Sequence, residues 1–198
     1  MTAFRHHGFA TCIGLAIAGL GASTQAEPVA YKLDPTHSFV HFEVLHFGTS
    51  TTRGRFGPLE GEVLLDREAR KGRVQVVIDT AAVSTGLAVL DRQLRQGDLL
   101  ATDAYPKAYF VAERFEFGPD GAVTAVGGVL TLRGVGQGVR LQAQRFRCYT
   151  NPLLRREVCG GDFEAELSRS AFGIQYGDPF VGETVRLKLA VEAIRQEP

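Results

Sequence analysis

The feature that most constrains the fold is a strict two-residue alternation between His37 and Phe47. Val40, Phe42 and Val44 share one face of this segment, and the intervening side chains share the other. A period of two is typical of a β-strand, whereas a helix repeats every 3.6 residues. The segment therefore predicts a strand with one face directed at a core.

Similar segments occur elsewhere in the chain, and most are rich in the Val, Phe, Leu and Thr that suit a pleated surface. They cover 29–33, 61–66, 73–80, 108–117, 122–132, 138–149, 162–168 and 184–194. Only 87–100 differs, since Leu87, Leu90 and Leu94 have the spacing of a short amphipathic helix. Eight or nine strands at hairpin-like spacing predict an all-β fold, a closed antiparallel β-barrel of about eight strands with one short helix.

The first 26 residues have the pattern of a secretory signal. Arg5 precedes an apolar stretch at 9–20, and Thr24 and Ala26 occupy the small-residue positions of a cleavage site. The stretch is shorter than the roughly 18 apolar residues that a membrane span needs, so we expect no stable membrane insertion. We expect a cleaved signal peptide at 1–26 and one exported domain at 27–198.

Export affects how the cysteines are interpreted, because Cys148 and Cys159 then lie in an oxidising compartment. Asn151-Pro152 is a turn signal between them, which would bring the flanking segments side by side. We predict a structural disulfide. The alternative, a redox or metal pair, lacks both CxxC spacing and a histidine close in sequence.

The sequence gives little sign of catalysis, metal binding or nucleic-acid binding. His37 and His41 would lie about 13 Å apart on one strand, and His46 would face the opposite way, so we predict no metal site. Nucleophile-elbow and phosphate-loop motifs are absent from the sequence, which indicates neither an enzyme nor a cofactor. Lys and Arg total 22 and Asp and Glu total 22, which argues against a nucleic-acid partner.

The inward faces of the predicted strands carry the remaining functional signal. Ala108, Ala112, Gly128, Ala143 and Ala165 are small residues on these faces. If small residues face one another, they leave an apolar void that favours an apolar guest. If larger neighbours close over them, the interior is a packed core. The residues alone leave both interpretations open.

Motifs spread along the whole mature chain resemble those of a known family. The segment Tyr31-x-Leu33-Asp34-Pro35-x-His37-Ser38, continued by the alternation to His46 and then by Gly54-x-Phe56, resembles the N-terminal signature of the YceI-like periplasmic proteins. Further matching motifs are Val83-Ser84-Thr85, Tyr105-Pro106-x-x-x-Phe110, Gly128-x-Leu130-Thr131-Leu132-x-Gly134-Val135, Arg169-Ser170-x-Phe172-Gly173-Ile174 and Val185-x-Leu187. The chain differs from the usual pattern at Leu90, Gln93 and Leu99, which by resemblance lie near the barrel mouth and bear on head-group identity.

The resemblance implies a lipocalin-like barrel, closed at one end, that encloses a polyisoprenoid chain in the periplasm, with no catalytic residues. The partner would be an isoprenoid lipid, a prenyl quinone or polyprenyl phosphate, that the protein binds, stores or transports. The predicted ligand-binding residues are Val40, Phe42, Val44, His46, Phe110, Leu130, Leu141, Phe163, Leu187 and Leu189. His46 would orient a head group at the rim, or be a rim histidine without ligand contact.

Two other functions stay open from the sequence. One is a periplasmic protein-interaction module, a soluble partner of a membrane redox or stress-response component. The other is an enzyme acting on a lipid head group through His46 or Asp91. The sequence also leaves open whether the chain forms a homodimer.

Overall fold

The structure, a computed structural model, describes residues 27–197. The predicted signal peptide at 1–26 lies outside the described residues. The strands are β1 (Val29–Leu33), β2 (Phe39–His46), β3 (Ser50–Phe56), β4 (Glu60–Asp66), β5 (Lys71–Asp79), β6 (Lys107–Phe117), β7 (Val123–Leu132), β8 (Val135–Thr150), β9 (Glu157–Ser168) and β10 (Val181–Arg195). One α-helix, α1 (Ala88–Leu94), and two 3-10 turns at Thr80–Ala82 and Ser170–Phe172 complete the described elements. In this described part, no helix has the length and apolar character needed to cross a membrane.

Eight of the strands form a closed antiparallel barrel in the order β1-β4-β5-β6-β7-β8-β9-β10. Pairing of Tyr31 in β1 with Arg195 in β10 closes it. The remaining two strands, β2 and β3, extend the wall from the other half of β10, where Val40 pairs with Leu189. The predicted all-β, eight-stranded barrel with one short helix is confirmed.

Strand β3 was not predicted, because its sequence does not alternate. It contains Arg53, Gly54 and Arg55 in place of an apolar row. The strand forms because its backbone pairs with β2, and Gly54 permits close contact, since a Cβ there would lie 2.4 Å from Cζ of Phe42. Tertiary pairing therefore overrides a weak local signal.

Of the two interpretations of the small inward-facing residues, close packing holds at β6 and β7. A Cβ on Gly128 would lie 2.5 Å from Cβ of Ala112, and Ala112 is only 2% exposed. The two strands therefore approach closely here, and their small residues pack against each other. Of the five small residues that the sequence places on inward faces, Ala108 lines the cavity.

The two ends of the barrel differ. One end, the base, carries the β8–β9 turn, where the predicted disulfide joins Cys148 to Cys159. The other end, the mouth, carries the β2–β3 turn, α1 and the loop at 173–180 that precedes β10. The disulfide prediction is confirmed, and it lies at the far end from the mouth.

Candidate functional site

The barrel encloses a cavity of about 730 Å³. Inward-facing positions of the strands form its walls, as the two-residue alternation requires. On β5, for example, Val74, Val76 and Ile78 all face it. The lining is almost wholly aliphatic and aromatic, so the interior is hollow rather than a packed core. The cavity therefore decides between the apolar void and the packed core, which the residues alone left open.

All ten predicted ligand-binding residues line this cavity. Phe42, Phe110 and Phe163 are buried in its wall. Val44 and His46 continue the β2 row toward the mouth. The structure thus brings the predicted set together around one space, while their contacts with a ligand stay a prediction.

The mouth is identified by residues that line the cavity and are also exposed to solvent. Leu87 is 56% exposed, Val89 58% and Tyr176 48%, and all three line the cavity. His46 is an exposed lining residue at the same end. The ring centroid of His46 lies 4.7 Å from that of Phe47. His46 therefore occupies the rim position that its place on β2 predicted.

Leu90, Gln93 and Leu99, where the chain differs from the usual family pattern, also line the cavity. Asp91 does not point a free carboxylate at it. The Asp91 carboxylate accepts hydrogen bonds from the Thr85 hydroxyl at 2.7 Å and the Thr85 backbone N–H at 2.6 Å. These bonds hold the pKa of Asp91 below its usual range, so this group orders the start of α1 as a carboxylate.

Arg169 organises the mouth loop, a role that the sequence did not reveal. Its side chain is only 5% exposed. Its guanidinium donates to the backbone carbonyls of Gly182, Ile174, Tyr176 and Val181 and to the carboxylate of Asp178. Five N–H groups thus meet five acceptors, which fixes the loop that carries Tyr176. The Arg169-Ser170 motif marked the position but not these partners.

Tyr31 lies at the base end of the cavity. It is 2% exposed and lines the cavity, and its hydroxyl donates to Glu157 at 3.1 Å. Arg67 and Arg195 flank the same carboxylate, at 2.7 and 3.8 Å. Burial, and after it the negative charge of Glu157, raises the pKa of Tyr31 to about 12. The apolar space therefore ends on a neutral phenol held by an ionic cluster.

One group at the base superficially has the composition of a metal site. Within the described residues, ligand-type atoms of Cys148, Glu157 and Cys159 all lie within 4.8 Å of one another. The two sulfurs are joined to each other, so neither is the thiolate that a metal ion would need. This cluster therefore does not constitute a metal centre in the oxidised chain.

Comparison with known proteins agrees with this architecture. The family model described as the YceI-like domain matches residues 31–193. A UPF0312 protein of Pseudomonas paraeruginosa is 33% identical over 175 residues, covering 87% of this chain and 90% of the relative. Protein YceI of Shigella flexneri is 31% identical over 189 residues, covering 93% and 97%.

Solved structures share the fold at lower identity. BcnA of Burkholderia cenocepacia superposes with a TM-score of 0.66 at 23% identity, covering 81% of this chain and 98% of that one. A domain of Saccharophagus degradans, described as polyisoprenoid-binding and implicated in plant cell wall breakdown, has a TM-score of 0.63 at 20% identity, covering 85% and 99%. With the family model spanning nearly the whole barrel and curated relatives above 30% identity, the chain belongs to the YceI-like family.

Proposed function

We propose that this protein binds a long-chain isoprenoid lipid, a prenyl quinone or a polyprenyl phosphate, in the barrel cavity and stores or transports it in the periplasm. The observation that carries the proposal is the apolar cavity of about 730 Å³ in the barrel, whose lining reaches exposed residues at the mouth. The fold neighbour described as a polyisoprenoid-binding domain supports the same ligand class. Export through residues 1–26 is part of the proposal.

The size and chemistry of the cavity favour one flexible hydrocarbon chain. Single-ligand pockets span about 300–1,000 Å³. Apolar voids stay dry, so a tail entering this cavity gains the free energy of leaving water without displacing well-bound water.

Chain length, rather than polar recognition, would set the affinity. Burial contributes about 0.8 kcal/mol per CH₂, so one five-carbon isoprene unit contributes roughly 4 kcal/mol before costs. Lost translational freedom and tail ordering oppose binding by about 4–15 kcal/mol. Several isoprene units must therefore enter the cavity before binding becomes favourable, which selects long prenyl chains over short ones.

Mass spectrometry of lipid extracted from freshly purified protein tests this proposal. We expect a prenyl lipid to copurify with the wild-type chain. Ala108 lines the cavity at 3% exposure, so Ala108→Phe should fill part of the lumen and reduce the recovered lipid about tenfold or more, since a few lost CH₂ contacts suffice.

Val111→Phe provides the matched control. Val111 lies three residues further along β6, on the outer wall, and is 42% exposed. The same aromatic group added there should leave lipid recovery unchanged. Protein that is lipid-free after gentle purification, or equal recovery from both variants, would overturn the proposal and favour the protein-interaction module.

A further inference from the structure

We infer that the mouth of the barrel docks on a lipid bilayer through an exposed apolar rim, so that lipid passes between membrane and cavity without crossing water. This inference rests on the proposed function, because it names the surface from which the ligand would come. The apolar rim consists of Leu45, Phe47, Leu87, Val89, Tyr176 and Phe180. Each of the six is between 48% and 58% exposed.

The rim is an ordered structure on three separate elements. The rings of Phe47, in the β2–β3 turn, and Phe180, in the loop before β10, stack at 4.8 Å. The Phe47 N–H also donates to the Phe180 carbonyl at 2.7 Å. Exposed aromatic pairs of this kind leave apolar surface in water at a free-energy cost, which contact with an apolar medium would remove.

The rim is continuous with the cavity. The cavity lining includes Leu87, Val89 and Tyr176, each of which is about half exposed to solvent. An apolar tail that leaves the lumen therefore stays in contact with apolar side chains until it reaches the protein surface. At the base, by contrast, the cavity is lined by the buried side chain of Tyr31.

The charges around the mouth are compatible with a bilayer surface. The carboxylates of Asp91 and Asp178 are bound by Thr85 and Arg169, and the carboxylate of Glu183 accepts hydrogen bonds from Ser168 and Ser170. Arg92 is an exposed cation on α1, three residues from Val89 and so on a neighbouring position of the helix surface. Basic residues beside exposed apolar ones are typical of surfaces that rest at the headgroup level of anionic membranes.

Cosedimentation of the lipid-free protein with vesicles of phosphatidylethanolamine and phosphatidylglycerol tests the inference. We expect the wild-type chain to bind, and the double variant Phe47→Ser, Phe180→Ser to bind at least about tenfold more weakly, since loss of two phenyl groups removes this much partitioning. Val89→Ser, on a different element, should weaken binding in the same direction.

Leu153→Ser is the matched control, because Leu153 is 91% exposed but lies in the turn at the base. It should bind vesicles as the wild type does. Absence of wild-type binding, or equal loss in the rim and base variants, would overturn the inference. Failure of the proposed function is a separate result: vesicle binding through the rim, with no prenyl lipid in the extracts, refutes the ligand and leaves the docking surface in place.

Discussion

At the residue scale, the phenol of Tyr31 joins the apolar cavity to the ionic cluster at the base. Its hydroxyl donates to Glu157 and the ring faces the lumen. Burial and the adjacent carboxylate raise the pKa of Tyr31 to about 12, because both disfavour a second negative charge. The free energy of unfolding of the barrel should therefore decrease at alkaline pH.

The sign follows from linkage. In the unfolded chain a tyrosine ionises near pH 10, so the contribution of Tyr31 is fully present below about pH 10 and is lost as the pH rises toward the folded value. Tyr31→Phe has no proton to lose. Between about pH 9 and pH 11, its free energy of unfolding should fall by about 1 kcal/mol less than that of the wild type.

Urea unfolding at several pH values measures this difference. Tyr109→Phe is the control, because Tyr109 is 46% exposed on the outer wall. Parallel pH profiles for wild type and Tyr31→Phe would contradict the assignment.

Residue roles were predicted unevenly from the sequence. The direction of Val40, Phe42 and Val44 followed from the period of two, and all three line the cavity. The sequence could not give the role of Arg169, because its partners are backbone carbonyls of a loop whose path depends on tertiary structure. Alternation predicts which face a side chain occupies, but not which distant backbone groups it binds.

At the element scale, the loop before β10 depends on one buried side chain. Arg169 supplies all five of its N–H groups to this loop and the start of β10. A lysine retains the charge but presents three donors from one point rather than a planar fork. One ammonium with three donors cannot satisfy the five acceptors that Arg169 binds.

Arg169→Lys should therefore lower the free energy of unfolding by about 2–4 kcal/mol, since several buried carbonyls lose their donors. Protease cleavage within 174–182 should also become faster than in the wild type. Chemical denaturation and limited proteolysis with mass mapping measure both effects.

Arg186→Lys is the matched control for this substitution. Arg186 is an exposed arginine on β10 that pairs with Glu166 at 3.0 Å, and exposed pairs contribute at most about 1 kcal/mol. Equal destabilisation by the two substitutions would show that the buried guanidinium of Arg169 contributes no more to stability than an exposed one.

The strands with a strong two-residue period were predicted from the sequence, whereas β3 was not. Its residues Arg53 to Arg55 carry no apolar row, so a reader of the sequence finds no strand signal. The strand exists because β2 offers an unpaired edge, and because Gly54 fits against the ring of Phe42. Pairing partners distant in space are not encoded in a local window.

At the scale of the whole molecule, closure of the barrel was predictable but the hollow lumen was not. Strand number and spacing indicate closure, whereas lumen volume depends on how strands tilt and shift against each other. Close contact of Gly128 with Ala112 shows the difference. Small residues there bring two strands together, and the void lies elsewhere.

The exported state of the molecule is a prediction with a measurable consequence. The Cys148–Cys159 bond closes a short loop and should add about 2–3 kcal/mol to the free energy of unfolding. The full chain, expressed with residues 1–26, should be recovered from the periplasm beginning at Glu27 and disulfide-bonded. The chain expressed from residue 27 in a reducing cytoplasm should be less stable by that amount.

The double variant Cys148→Ser, Cys159→Ser serves as control for compartment, since its stability should be the same from both sources. N-terminal sequencing, thiol titration and urea unfolding provide the measurements. Recovery of the unprocessed chain, or equal stability of the wild-type protein from both compartments, would refute this prediction.

The pairing of β1 with β10 joins residues near the two ends of the described chain, Tyr31 with Arg195. The wall is therefore incomplete until the last strand of the chain is available to pair. Before that moment β1 and β9 each present an open edge, a state prone to aggregation. Because no enclosed lumen exists before β10 pairs with β1, we expect the proposed ligand to enter only after the barrel has folded.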